Sequence, residues 1–172
     1  MPLTIVRNDI TKMHVDVIVN AANTALQMGS GVCGAIFKAA GAEKLQAACD
    51  KLAPIQTGEA VITPGFGLTA KHVIHTAGPK YRDGKQGEEA LLRACYTNSL
   101  NLALLNGCES ITFPLISSGV YGYPKEKAAE TALTTVLNTL SETPGIKRVV
   151  FVCFDEENYD LYRSIMRADV PE

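Results

Sequence analysis

The sequence predicts an α/β fold: one domain, residues 1–172, built on a mainly parallel six-stranded sheet. Short apolar runs rich in Val and Ile alternate with longer segments of helical periodicity, which is the pattern of strands joined by crossover helices. The length of 172 residues fits one domain, and neither an internal repeat nor a linker interrupts it. Hydrophobic residues make up 47% and charged residues 20% of the chain, which excludes a disordered or fibrous protein.

Six segments are predicted as strands because they are short, apolar and rich in β-branched residues. The second of them, Val15–Val19, is apolar enough to suit a strand that is buried on both faces. The predicted strands are Leu3–Val6, Val15–Val19, Ala60–Thr63, His72–Thr76, Ile111–Phe113 and Val149–Val152.

Five segments are predicted as helices. The first has apolar residues at one-turn spacing and precedes Gly41, which can end a helix. The fourth opens with a proline, and the fifth opens with acidic residues that suit the positive end of a helix dipole. The predicted helices are Gly31–Ala40, Glu43–Lys51, Glu88–Leu105, Pro124–Leu140 and Asp155–Met166. We expect Tyr81–Gly87, rich in glycine and charge, to be a mobile loop.

The charge balance and the cysteines exclude several classes of function. A net charge of −2 lacks the positive field of a general nucleic-acid binder, so an anionic ligand needs local features such as backbone N–H groups. The N-terminus shows no secretory signal and no apolar run is long enough to span a membrane. The 5 cysteines are widely spaced without a C-x-x-C pair, which favours a reduced, cytoplasmic protein.

Asparagines and glycines follow the second predicted strand. Asn20 and Asn23 each carry donors and an acceptor on a short arm, which suits ribose hydroxyls. Gly29, Gly31 and Gly34 allow a ligand to approach the backbone, and the helix that begins there directs N–H groups at a phosphate. Ligands of open α/β sheets bind beyond the carboxyl ends of strands. The segment therefore predicts a site for a sugar phosphate.

Two further loops follow strands in the same way. Ser117–Tyr121 lies after the fifth strand, and its small residues predict a second nest of backbone N–H groups. Tyr121 is placed to pack on a sugar. Phe154 ends the last strand, where an aromatic ring can stack on a base. Taken alone, the loop could be an ordinary serine-rich connection, and either aromatic residue could simply belong to the core. Together with the first loop, they favour a binding site.

The glycines match G-x-G-x-x-G formally, but a dinucleotide fingerprint needs them directly after the strand. Ala21–Met28 intervene, and the nearest downstream acid, Asp50, lies in a predicted helix. We therefore reject a nicotinamide dehydrogenase. The spacing G-x-x-x-x-G-K-[ST] of a P-loop is absent as well. We expect no cofactor.

Cys33 stands near a helix N-terminus, where a cysteine can act as a nucleophile if a histidine serves as its base. His75 is the candidate base. We favour the structural interpretation, in which Cys33 is a small packing residue and His75 a strand residue, because free cysteine is among the most buried residue types. His72 and His75 lie three apart on a strand and face opposite sides, so we expect no metal site.

Several spaced motifs together resemble the macrodomain family, in particular the bacterial branch similar to MacroD-type ADP-ribosyl hydrolases and O-acetyl-ADP-ribose deacetylases. The motifs that carry the resemblance are Val17–Asn23, Gly29–Gly34, Thr57–Ala60, His75–Pro79 and Ser117–Gly122. They occur in the family's order over nearly the whole chain. The resemblance implies a three-layer α/β/α sandwich with a mixed six-stranded sheet and a cleft for ADP-ribose. The expected partner is ADP-ribose or an ADP-ribosylated protein, and a monomer is the default state.

The resemblance also implies roles for individual residues. Asp9, beside Ile10, would accept the adenine amino group, and Phe154 would stack on the adenine. Asn23 would bond the distal ribose next to the scissile bond, which makes it the implied catalytic residue. The remaining implied ligand-binding residues, most of them for the diphosphate, are Gly31, Val32, Cys33, Ser117, Ser118, Gly119, Val120 and Tyr121.

Three positions depart from MacroD-type enzymes, which usually have Asp where Cys33 stands, His where Phe37 stands and Gly where Ser30 stands. That Asp is commonly assigned to position or activate water, and a thiol supplies no carboxylate base. Some viral macrodomains resemble this loop and hydrolyse the ester with the distal Asn, the substrate diphosphate and a bound water. We favour an ester hydrolase; the alternatives are an ADP-ribose reader without chemistry and a Cys33-dependent hydrolase.

Overall fold

The computed structural model describes residues 2–169 and confirms the α/β sandwich. Its strands are β1 (Leu3–Arg7), β2 (Val17–Ala22), β3 (Ala60–Pro64), β4 (His72–Ala77), β5 (Ser110–Phe113) and β6 (Arg148–Cys153). Its helices are α1 (Gly31–Ala40), α2 (Ala42–Asp50), α3 (Glu88–Leu105), α4 (Lys125–Leu140) and α5 (Glu156–Asp169), with a short 3-10 helix over Ile10–Lys12. Within residues 2–169, no helix is both long and apolar enough to cross a bilayer.

The six strands form one mixed sheet in the order β1-β6-β5-β2-β4-β3. All neighbouring pairs are parallel except β3 and β4, which are antiparallel. The carboxyl ends of β1, β6, β5, β2 and β4 therefore meet at one edge of the sheet, which is called the carboxyl edge below.

Alternating side chains of the sheet serve two cores and so create three layers. Val17 and Val19 of β2 join the core under α3, α4 and α5, whereas Ile18 joins the core under α1 and α2. Both faces of β2 are covered, as its apolar sequence predicts.

The strand β2 differs most from the prediction, because it begins and ends later in the chain. Its parallel pairing with β4 continues from Val17 opposite His72 to Ala22 opposite Ala77. Asn20 is therefore part of the sheet and not of the loop that follows it. The other elements begin and end within a few residues of their predicted bounds.

The neighbouring strands β2 and β5 lead to helices on opposite faces, β2 to α1 and β5 to α4. Their outgoing chains separate at the carboxyl edge and leave a crevice between them. Such a topological switch point is where open α/β sheets bind ligands. The fold thus places the two glycine- and serine-containing loops side by side.

Candidate functional site

With the exception of Asn20, every residue that the sequence assigns to the site lies just beyond the carboxyl edge or in the first turn of α1. In the order of the strands, the edge carries Asp9 and Ile10 after β1, Phe154 after β6, Ser117–Tyr121 after β5 and Asn23 after β2. The first turn of α1, with Gly31, Val32 and Cys33, follows Asn23 on the same side. The prediction that these segments converge on one edge agrees with this arrangement.

Asp9 and Phe154 form one end of the edge. The Asn8 N–H donates to the Cys153 carbonyl at 3.3 Å and ties the end of β1 to the end of β6. Asp9 Oδ1 accepts from the Thr11 hydroxyl at 2.7 Å and from the Thr11 N–H at 3.0 Å. Both bonds lower the pKa of Asp9, and the bond from the Thr11 hydroxyl has the larger effect. Phe154 is 82% exposed, so its ring is available to a ligand and contributes little to the core.

The first turn of α1 presents free backbone donors. Ser30 occupies the N-cap position without a side-chain cap, which leaves the N–H groups of the first turn to a ligand. The chain enters the helix with a left-handed residue, Gly31 at φ 59°. A Cβ on Gly34 would lie 2.6 Å from the Gly29 carbonyl oxygen, so glycine at this position lets the preceding loop fold against the helix.

Asn23 is held in place by its own loop. Its Nδ2 donates to the Gln27 carbonyl at 3.0 Å, and its Oδ1 accepts from the Gln27 N–H at 3.0 Å. Each bond uses one hydrogen or one lone pair of the amide, so a second hydrogen and a second lone pair are left for a ligand. The half-buried side chain is thereby oriented before any ligand arrives.

The loop after β5 leaves backbone donors unpaired, since within residues 2–169 the N–H groups of residues 118–121 have no backbone acceptor. Ser117 adopts a left-handed φ of 67°, and its carbonyl accepts from the Tyr123 N–H at 3.0 Å. The Tyr121 carbonyl accepts from the Tyr81 N–H at 2.9 Å, which ties this loop to the chain after β4. Carbonyls of the loop are thus occupied within the protein, which is compatible with the predicted nest of N–H groups. Val120, at its tip, is 97% exposed.

Asn20 does not reach the carboxyl edge, contrary to the ribose role suggested by its residue type. It is fully buried and faces the layer of α1 and α2 because of the alternation along β2. Its Nδ2 donates to His75 Nδ1 at 3.1 Å and lies 3.6 Å from Cys33 Sγ. His75 Nε2 in turn lies 3.0 Å from Thr63 Oγ1. Asn20 thus stands between Cys33 and His75, which supports the structural interpretation of both residues.

We expect the imidazole of His75 to stay neutral down to about pH 5, because burial lowers its pKa from 6.5 to about 4. The unfolded chain takes up this proton near pH 6.5, so the free energy of unfolding falls by roughly 3 kcal/mol as the pH drops from 6.5 to 4. A ¹H–¹³C NMR titration, assigned with His75→Gln, measures the pKa. A titration midpoint near 6.5 for His75 would contradict this account.

The segment Tyr81–Gly87 is organised around one carboxylate, whereas the sequence suggested a mobile loop. Glu88 is buried at the start of α3 and accepts four backbone N–H bonds from this segment. The donors are Arg82, Asp83 and Gly84 to Oε2 at 3.0, 3.2 and 3.0 Å and Gln86 to Oε1 at 2.6 Å. These bonds lower the pKa of Glu88 from 4.5 to about 2, and the bond from the Arg82 N–H has the largest effect. The ionised carboxylate therefore fixes the loop.

A cleft of about 390 Å³ opens between the ends of β2 and β4. Asn23 and Tyr121 line it on the side of the predicted site, and Lys80 and Arg82 line it on the side of the Glu88 loop. Lys80 and Arg82 are not among the site residues predicted from the sequence, although both follow a strand that ends at the carboxyl edge. Within residues 2–169, no group of three or more His, Cys, Asp or Glu side chains is arranged to hold a metal ion.

The fold and the edge define a class of protein: an α/β/α sandwich with a crevice at its topological switch point, where open α/β sheets bind ligands. A family model described as Macro domain matches residues 19–132 of the chain. The chain therefore belongs to the Macro domain family, and the resemblance of its motifs to macrodomains is confirmed.

Curated relatives and solved structures agree with this membership. The chain is 50% identical over 163 residues to a macro domain-containing protein of Chlorobaculum tepidum, covering 95% of this chain and 94% of that protein. It is 49% identical over 166 residues to the O-acetyl-ADP-ribose deacetylase of Escherichia fergusonii, covering 94% and 93%. Its fold is similar to a mutant Oceanobacillus iheyensis macrodomain with ADPR, at a TM-score of 0.92 and 42% identity, covering 98% of this chain and 93% of that one. A Trypanosoma brucei macrodomain in complex with ADP-ribose has a TM-score of 0.87 at 39% identity, covering 95% of this chain and 68% of that one.

Proposed function

We propose that this chain binds ADP-ribose along the carboxyl edge and hydrolyses ADP-ribose esters, either mono-ADP-ribosylated protein carboxylates or O-acetyl-ADP-ribose. The observation that carries the proposal is the order of groups along the edge. An exposed aromatic ring and Asp9 lie at one end, two loops with unpaired backbone N–H groups lie in the middle, and Asn23 lies beyond them. This order matches a base, a diphosphate and a distal ribose.

The diphosphate is proposed to bind between the first turn of α1 and the loop Ser117–Tyr121. Backbone N–H groups and the positive end of the α1 dipole bind phosphate without lysine or arginine. This mode of binding suits a chain whose net charge is −2. The adenine is proposed to stack on Phe154, with its amino group donating to Asp9, whose lowered pKa keeps the carboxylate ionised near neutral pH.

Hydrolysis consumes one water per ester and yields a carboxylic acid and ADP-ribose. Asn23 is proposed to hold the distal ribose through the amide hydrogen and lone pair that its bonds to Gln27 leave free. A phosphate oxygen of the substrate then positions the water, and the fixed geometry supplies the acceleration. Cys33 lies beside this site with its thiol directed at the Gln27 carbonyl, at 3.9 Å, and does not act as a base.

The relative described as an O-acetyl-ADP-ribose deacetylase supports the enzyme over the reader that binds ADP-ribose without chemistry. The test follows release of ADP-ribose from a carboxylate-linked mono-ADP-ribosylated protein by wild type, Asn23→Ala, Cys33→Ala and Cys33→Asp. Release by wild type and Cys33→Ala, with loss in Asn23→Ala, supports the proposed hydrolase. Binding without release favours the reader, and loss in Cys33→Ala favours the Cys33-dependent enzyme. If wild type is a reader, activity gained by Cys33→Asp locates the missing chemistry at Cys33.

Replacing Phe154 with alanine is expected to weaken ADP-ribose binding about tenfold, because stacking of a base on an aromatic ring contributes roughly 1–3 kcal/mol. The ring is 82% exposed, so the free energy of unfolding should change by less than about 0.5 kcal/mol. Calorimetric titration and urea unfolding measure the two quantities. Phe113→Ala is the control, since Phe113 is fully buried and should lose stability instead. Unchanged affinity in Phe154→Ala would show that the adenine does not bind at this end of the edge.

We also propose a reducing, cytoplasmic location and a monomeric state. The support for the location is that all 5 cysteines are free and buried, which is typical of proteins in reducing compartments.

A further inference from the structure

Asn23 and Tyr121 form one side of the cleft between the ends of β2 and β4, and its other lining residues have no part in binding ADP-ribose as proposed above. We infer that the cleft is an acceptor subsite: it receives the polypeptide segment to which the ADP-ribose is attached, and Lys80 and Arg82 select segments with acidic residues near the modified carboxylate. The inference rests on the proposed function and extends it to the class of protein substrate.

The position of the cleft is the first argument. Along the carboxyl edge, the order adenine, diphosphate and distal ribose runs from β1 toward β2, and β4 is the next strand. Asn23, at the distal ribose, is itself part of the wall of the cleft. A group that projects from the distal ribose away from the diphosphate therefore enters this space. Its volume of about 390 Å³ accommodates several side chains but exceeds what an acetyl group needs.

The charge of the cleft is the second argument. Lys80 and Arg82 are exposed, and the ion pairs within residues 2–169 are Arg93–Glu89 and Lys125–Glu157, so neither cation has an acidic partner there. Lys80 Nζ lies 5.5 Å from the centre of the Tyr121 ring, which holds the ammonium at the mouth of the cleft.

Glu88 also lines the cleft, but its carboxylate oxygens are occupied by four backbone N–H groups of the loop. The negative charge of Glu88 is therefore satisfied by the backbone N–H groups of the loop that carries Arg82. The cations at the cleft are thus left for an external anion, and the backbone that bears Arg82 is already ordered before binding. Pre-organisation of this kind lowers the entropic cost of holding a flexible segment.

An acidic peptide fits these observations better than a nucleic acid. The chain as a whole is acidic, with a net charge of −2, so it repels an extended polyanion beyond the cleft. Two cations in a space of this size match two or three carboxylates that flank one modified residue.

The test measures the affinity of wild type for free ADP-ribose and for three conjugates joined through a non-hydrolysable linker. One conjugate carries an acidic peptide, the second carries the same peptide with Gln and Asn in place of Glu and Asp, and the third carries a short oligonucleotide. The variants are Lys80→Ala/Arg82→Ala and the control Lys85→Ala. Lys85 is a cation of the same loop that does not line the cleft.

We expect wild type and Lys85→Ala to bind the acidic conjugate about tenfold more tightly than the neutral one, from two partly exposed ion pairs. The double variant should lose this preference and keep its affinity for free ADP-ribose, and the preference should shrink at high salt. Provided that free ADP-ribose still binds, any of three results would overturn the inference. They are equal affinity for the acidic and neutral conjugates, retention of the preference by the double variant, and a larger gain in affinity with the oligonucleotide conjugate. Failure of free ADP-ribose to bind would instead overturn the proposed function, and the inference with it.

Discussion

Replacing Asn23 with alanine is expected to lower the rate of ADP-ribose release by about 100-fold or more, while the affinity for free ADP-ribose falls only a few-fold. Loss of one oriented hydrogen-bond partner at a reacting group typically costs 10²–10³ in rate. Binding depends mainly on the base and the diphosphate, which Asn23 does not contact in the proposed mode. Single-turnover release and calorimetric titration measure the two effects separately.

The variant Asn23→Ala also removes the bonds to Gln27, so its loop loosens and stability falls. Asn106→Ala is a matched control, because Asn106 Nδ2 donates to the Leu102 carbonyl at 2.8 Å, four residues away, at the end of α3. We expect Asn106→Ala to lower the melting temperature but leave the rate of release unchanged. If rate and affinity decline equally in Asn23→Ala, the residue has no catalytic role.

The variant Gly34→Ala is expected to weaken ADP-ribose binding by roughly 30-fold and to destabilise the fold by about 2 kcal/mol. The new Cβ would lie 2.6 Å from the Gly29 carbonyl oxygen. Neither group is the end of a flexible side chain, so the backbone of the loop must move away from α1. That movement displaces the first-turn N–H groups from the position in which they meet the diphosphate.

A matched control for Gly34→Ala exists in the same loop. A Cβ on Gly29 would meet Cys33 at 3.8 Å, an ordinary van der Waals distance. Gly29→Ala should therefore retain stability within about 0.5 kcal/mol and affinity within a few-fold. Calorimetry and urea unfolding of the two variants test the steric argument. Equal affinity of Gly34→Ala and wild type would show that the first turn of α1 is not part of the binding site.

The sequence predicts most of the fold because apolar periodicity and end signals agree in nearly every element. The strand β2 shows the limit of this reasoning. Its apolar run ends at Val19, but pairing with β4 carries the strand on to Ala22. A strand that continues through small and polar residues depends on its neighbour in the sheet, and residue type alone does not indicate where it stops.

The two asparagines after Val19 show the same limit within the site. Asn20 and Asn23 are chemically identical, yet the alternation of the strand buries Asn20 against His75, and only Asn23 lies at the carboxyl edge.

The loop before α3 is a second case. Its glycines and charges suggest mobility, but Glu88 closes the loop through backbone N–H groups. Hydrogen bonds between a side chain and the backbone of nearby residues can hardly be recognised from the amino-acid composition of the segment.

The measurement that tests the central claim most directly is a calorimetric titration of the wild-type chain with ADP-ribose, repeated with Phe154→Ala and Gly34→Ala. These two variants alter the adenine end and the diphosphate segment of the proposed ADP-ribose site along the carboxyl edge. We expect one molecule of ADP-ribose to bind per chain, with affinity reduced about tenfold by the first substitution and roughly 30-fold by the second. Absence of binding to wild type, or binding that neither substitution weakens, would contradict the claim that the carboxyl edge holds ADP-ribose.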